Sequence, residues 1–157
     1  MHPLELRTGR DSYVRYRTKL ALGTGSDLEI GRRARVTMVS IVVLVVDDEP
    51  LIRLSIVADL EGEGFAVFEA ACAEEAIAVI ERHPEIRLVF TDVDMPGSMD
   101  GLKLAEFVRD RWPPIKIIVT SGHHNVEPND LPDGSPFMAK PYISANVAAI
   151  IRELLSN

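Results

Sequence analysis

The sequence predicts an α/β domain, an open and doubly wound parallel sheet of five strands with helices on both faces. Three features point to it. From residue 41 onward, short apolar runs alternate with segments whose apolar residues recur at helical spacing. The apolar runs are continuous rather than alternating, which is the pattern of strands buried on both faces. Proline and glycine fall mostly between the segments, where helices start and stop.

Each element has its own signal. "IVVLVV", from Ile41, is the first strand, and "PLIRLSIVADLEGEG" a helix with Pro50 suited to its first turn and Gly62 or Gly64 to its end. "FAVFEA" is the second strand, followed by the helix "AEEAIAVIERH", which Pro84 stops. "IRLVFT" is the third strand, and the helix "DGLKLAEFVRDRW" closes at Pro113 and Pro114. "IKIIVT" and "SPFMAK" are the fourth and fifth strands. The final helix, "ISANVAAIIRELLS", carries a core stripe of Val147, Ile150, Ile151, Leu154 and Leu155. Between the last two strands, "SGHHNVEPNDLPDGSP" holds three prolines and two glycines. A proline inside a helix costs about 3 kcal/mol, so a fourth helix in this segment is expected to be short or absent. Strands and helices in this alternation make βαβ units with right-handed crossovers.

The 157 residues, 46% of them hydrophobic, suffice for one domain with a tail. Residues 1–38 show neither period, which predicts a flexible tail ahead of a domain at 39–157; Met38 could be the natural start. The tail's "GRRAR" reads as a solvated basic run. Residues 1–37 hold eight Lys/Arg and four Asp/Glu, leaving nine and twenty in the remainder. A domain that acidic is not expected to bind nucleic acid through its own charge. No apolar run reaches the roughly 18 residues of a membrane helix, and no secretory signal is visible. The single Cys72 excludes an internal disulfide and is expected to be a small buried side chain, which fits a reducing cytoplasm.

In such sheets ligands sit beyond the carboxyl ends of the strands. Those ends carry Asp47, Asp48 and Glu49, then Asp92, then Thr120 and Ser121, then Lys140. Clustered carboxylates repel unless a hard cation neutralises them, and Mg²⁺ favours a few oxygen ligands plus waters. An ammonium and a hydroxyl beside them suit the oxygens of a phosphoryl group, and one carboxylate remains as a nucleophile able to form an acyl phosphate. Asp94 is the weaker nucleophile, because Pro96 argues that the strand does not continue to it.

The motifs "VVDDEP", "VFTDVDMP" with "MDG", "IIVTSG" and "FMAKPY", in this order and spacing, resemble the receiver domain of two-component response regulators over about residues 39–157. The resemblance implies a flavodoxin-like sheet of strand order 2-1-3-4-5. It makes Asp92 the phosphoacceptor and a metal neighbour, Asp48 a direct Mg²⁺ ligand, Asp47 a ligand acting largely through water, and the Asp94 carbonyl the remaining protein ligand. Thr120 would bond a phosphoryl oxygen and Lys140 would pair with the group, with Lys140-Pro141 a cis peptide. Phe137 would be the aromatic that swings inward as Thr120 moves. The implied partners are a sensor histidine kinase or a histidine phosphotransfer protein as donor, and a downstream protein target.

Two departures matter. "MPGSMDG" is one residue longer than the commoner receiver turn, and the segment after Thr120 is rebuilt, so the usual dimer face cannot be borrowed even though a homodimer stays open. His123 and His124 project differently and lack a third ligand, which favours ordinary loop residues over a metal site. Because nothing follows Asn157, the expected function is a stand-alone receiver with no attached output domain. Two other classes compete: a Mg²⁺-dependent aspartyl-phosphate phosphohydrolase, which would need a general acid and a cap, and a pseudo-receiver that only binds a partner.

Overall fold

The structure, a computed structural model, describes residues 39–123 and 126–157. The expected tail at 1–38, Met38 as a start and His124 lie outside the described residues. The chain order is β1 (Val42–Val46), α1 (Pro50–Gly62), β2 (Ala66–Ala70), α2 (Ala73–Arg82), β3 (Ile86–Asp92), α3 (Gly101–Arg111), β4 (Lys116–Ser121), a 3₁₀ turn (Pro128–Asp130), β5 (Phe137–Ala139) and α4 (Ser144–Ser156). All five strands are parallel in one sheet of order β2-β1-β3-β4-β5, as expected.

The strands are apolar throughout because each face of the sheet has its own core. Along β1, Leu44 and Val46 point to one side with Phe68, Val89, Val119, Leu104 of α3 and Ile80 of α2. Val43 and Val45 point to the other, with Leu88, Phe90, Ile118, Ile56 and Leu60 of α1, and Val147 and Ile151 of α4. A period of two on a doubly covered sheet sends alternate residues into different cores. Fully burying such a side chain stabilises the fold by about 1.5–3 kcal/mol.

Three differences from the expected elements are local. β3 continues through Asp92, and β5 keeps only three of the six residues of "SPFMAK". Cys72 is half-buried rather than a core residue, and it is the N-cap of α2, where extended backbone leaves it at the surface of the turn. As expected, the helix between β4 and β5 is missing: there the described residues form one 3₁₀ turn, closed by the Glu127 amide donating to Asp130 Oδ2 at 3.1 Å. Val126 and Leu131 pack from this segment onto the α2–α3 core.

Register places the strand tips level. Val46 lies opposite Thr91, Asp92 opposite Thr120, and Ser121 opposite Ala139, so Asp47, Asp92, Thr120 and Lys140 end on one rim. After Asp92 the chain buries Met95, turns at Gly97 with φ +107°, and re-enters as α3. There Asp100 caps the helix by accepting from Lys103 N at 2.9 Å, and Gly101 N donates to the Val93 carbonyl at 3.0 Å. Gly101 is needed for contact rather than for backbone freedom, because a Cβ there would lie 1.8 Å from the Asp92 carbonyl oxygen. Gly101→Ala must push α3 off β3 or twist the Asp92 peptide. It is expected to destabilise the fold by about 2 kcal/mol or more, in the range of overpacked cores, as read from urea unfolding.

Candidate functional site

The rim gathers the residues that the sequence singled out. Asp47 and Asp92 are each 2% exposed, Thr120 is fully buried, and Asp48 is half-buried. One carboxylate oxygen each from Asp47, Asp48 and Asp92 lies within 4.8 Å of the others. Lys140 reaches across from the end of β5, its Nζ 3.1 Å from Asp47 Oδ2 and 3.2 Å from Asp92 Oδ2. The Lys140–Pro141 peptide is cis, and Lys140 N donates to the Ser121 carbonyl at 3.0 Å.

Asp47 is bonded at every polar atom. Its amide donates to Ala70 O at 3.2 Å and its carbonyl accepts from Arg53 Nη1 at 2.7 Å. Oδ1 accepts from Glu49 N at 2.9 Å, and Oδ2 takes the Lys140 ammonium. Asp92 is less saturated: Oδ2 faces Lys140, and Oδ1 accepts from Asp94 N at a long 3.4 Å. Thr120 Oγ1 is buried with no hydrogen-bond partner among the described residues. A buried orphan hydroxyl costs free energy, and a ligand oxygen would relieve it.

Asp94 stands beyond the end of β3, half-buried, its Oδ2 accepting from the buried Ser121 hydroxyl at 3.0 Å. Phe137 opens β5 opposite Val119, packs partly on the α2–α3 core and borders a cavity of about 510 Å³ shared with Ser121, Gly122, His123, Glu127 and Lys140. Tyr142, edge-on to Phe90 at 5.4 Å between ring centroids, has its hydroxyl pushed up to about 12, chiefly by burial, and stays protonated. Six of the seven predicted site residues thus lie at the carboxyl ends of β1, β3, β4 and β5 or just beyond them, and Phe137 stands at the start of β5. Reading the sequence missed Arg53 and its ion-pair partner Glu69, whose Oε1 lies 3.7 Å from Arg53 Nε. Arg53 reads as the polar face of α1; its place six residues after Asp47, one turn into the helix, is the signal that could have found it.

The electrostatics follow from burial. Desolvation lifts the Asp92 carboxyl above its ordinary range, outweighing the pull of Lys140 in the other direction. Burial also works against the Lys140 charge, but Asp92 and Asp47 beside it prevail and hold the ammonium above its usual value. The described site therefore combines three carboxylates, one firmly protonated amine and one unsatisfied hydroxyl. The hard oxygen donors suit Mg²⁺, and the hydroxyl and amine suit an anion carrying several oxygens.

Comparison with known proteins agrees with this fold. A family profile described as "Response regulator receiver domain" matches residues 43–132, more than half of the chain. The chain is 35% identical to the sensor kinase CckA of Brucella abortus over 120 residues, 74% of this chain and 13% of that protein. It is 40% identical to a putative NtrX-like response regulator of Rickettsia typhi over 86 residues, 54% of this chain and 18% of that one. The chain thus spans less than a fifth of these relatives. Among solved structures it resembles a response regulator receiver protein from Sinorhizobium medicae, with TM-score 0.71, 26% identity, and coverage of 76% of this chain and 98% of that one.

Two site substitutions are expected to stabilise the fold. Because the Asp92 pKa is raised on folding, its charged form is disfavoured in the native state. That penalty is complete above the folded pKa and disappears as pH falls below the unfolded value. In the absence of divalent cations, Asp92→Asn should raise the melting temperature at pH 7, and the gain should shrink as pH falls through the carboxylate range. Thr120→Val should gain about 1 kcal/mol by removing the orphan hydroxyl, checked by urea unfolding.

Proposed function

The chain belongs to the response regulator receiver domain family of two-component systems, and on that premise we propose that residues 39–157 form a Mg²⁺-dependent phosphoacceptor module that is phosphorylated on Asp92. The observation that carries this is the convergence at Asp92: a buried carboxylate 3.2 Å from an ammonium, within 4.8 Å of two further acids, beside an unpartnered hydroxyl.

Asp48 and Asp92, with the Asp94 carbonyl, would hold the cation directly, and Asp47 would act through water. Saturation of Asp47 by Glu49 N and Lys140 supports that division. When bound, Mg²⁺ supplies positive charge against the negative charge that builds on the transferring oxygens. In the transfer, an Asp92 carboxylate oxygen forms the new O–P bond as the N–P bond of a donor phosphohistidine breaks, and the leaving imidazole keeps its electron pair. Lys140 then shifts its hydrogen bonding to the phosphoryl oxygens, and Thr120 Oγ1 donates to another. Nothing has to be deprotonated, because the nucleophile is already a carboxylate and burial leaves it poorly solvated.

The donor is a sensor histidine kinase or a histidine phosphotransfer protein, and the output is a surface change near β4 and β5 as Thr120 moves and Phe137 turns inward. The likeness to the S. medicae receiver protein over 98% of that chain supports reading this domain as a receiver module. It is a signalling acceptor rather than a turnover enzyme, at home in the cytoplasm.

The test is intact-mass spectrometry after incubation with acetyl phosphate. One phosphoryl mass should appear in the wild type, only with Mg²⁺, and should be absent from Asp92→Asn; Lys140→Ala should slow its appearance by about 100-fold or more, as for loss of a charge-stabilising donor. Undiminished labelling of Asp92→Asn would move the nucleophile to another acid.

A further inference from the structure

We propose that Arg53 is a positioning residue for the acidic site, holding the turn between β1 and α1 by the carbonyl of Asp47 and thereby aiming the Asp47 and Asp48 carboxylates at a divalent cation. The inference rests on the Mg²⁺-dependent reading above and adds the residue that pre-forms the site.

Arg53 stands one turn into α1, its amide bonded to the Glu49 carbonyl at 2.9 Å. Its side chain, 15% exposed, runs back over the end of the sheet. Nη1 donates to Asp47 O at 2.7 Å, while Nε is buried, without a hydrogen bond, 3.7 Å from Glu69 Oε1. Glu69 lies on β2 opposite Val45. The guanidinium therefore ties together α1, β2 and the peptide that follows β1.

That peptide is the informative one. It joins Asp47 to Asp48, and because a peptide unit is planar, fixing its oxygen fixes the plane from which both Cα atoms, and so both side chains, depart. On the other side of the turn, Asp47 Oδ1 is bonded to Glu49 N and Oδ2 to Lys140. The acidic pair is thus braced from behind by Arg53 and from the front by the site itself. Groups that orient metal ligands from behind are commonly worth 10- to 100-fold in metal affinity.

Two effects of Arg53 have opposite signs, and this makes the idea testable. Its positive charge repels a cation, so deletion by that route alone would tighten binding. Its hydrogen bond pre-forms the site, so deletion by that route weakens binding. Glu69 offsets the charge without releasing the carbonyl, so the second effect is expected to win.

The experiment is calorimetric titration of Mg²⁺ into the full chain for wild type, R53M and R53K, with a melting curve for each. R53M should bind Mg²⁺ about 10-fold more weakly. R53K should bind about 3-fold more weakly, since lysine keeps the charge but not the planar two-sided arm. Unchanged affinity in R53M, with only a lower melting temperature, would make Arg53 a structural residue and overturn the proposal. Tighter binding would overturn it in favour of charge alone. Should R53M not fold, R53K decides, with weaker binding upholding the proposal and unchanged binding overturning it. A wild type that binds no Mg²⁺ would bring down the functional reading and this inference together, whereas wild-type binding with insensitive variants would bring down the inference alone.

Discussion

Everything at the rim depends on one electrostatic fact: three carboxylates are held within 4.8 Å of one another at the edge of a dry core, with one ammonium between two of them. Like charges this close are unfavourable, and burial prevents water from screening them. Lys140 satisfies part of the demand, and Arg53 and Glu49 N satisfy another part at Asp47. Asp92 keeps the deficit, its pKa raised first by burial and to a lesser extent by the neighbouring Asp47 charge. On the proposed reading the same deficit gives the site a use, because a nucleophile that is poorly solvated and crowded by anions is one that a cation and a phosphoryl group would relieve.

Holding the carboxylates there takes more than side chains. The parallel register sets Asp92 opposite Thr120, and Gly101 lets α3 start against the Asp92 carbonyl at a distance that no other residue allows. The two cores, one on each face, make the strands too well buried to slide. Strain from crowded charge is therefore borne by the sheet, and stability is given up at the rim where function needs it.

Most of this was legible in the sequence. Continuous apolar runs separated by helical periods point to a doubly covered sheet, because strands alternating with helices bury both sides of "VVLVV". The acids, hydroxyl and lysine were legible because their positions follow from where each run stops. Side-chain bonding was not. Arg53 has the composition of a solvent-facing helix residue, and only the fold reveals that its arm turns back to Asp47. Likewise, Cys72 sits among alanines in sequence, yet the helix start leaves it half-buried. The orphan hydroxyl of Thr120 is invisible to sequence, since a threonine at a strand end ordinarily finds a partner.

The segment between β4 and β5 bears on how such a site is read out. Where a helix would offer a stripe of contacts, Val126 and Leu131 pack on the core and the Pro128–Asp130 turn braces the chain. This segment borders two openings, one of about 510 Å³ with Phe137 and Lys140 and one of about 560 Å³ with Ile150 and Leu154 of α4. A ring turning inward at Phe137 would vacate the first opening. The displacement would be felt by a segment whose described residues form a 3₁₀ turn, rather than by a helix that must move as a rigid rod. On the proposed reading, re-packing a turn rather than a helix would let a modest energy difference at Asp92 bias it. The surface that would report phosphorylation of Asp92 is, on that reading, built from this segment and β5.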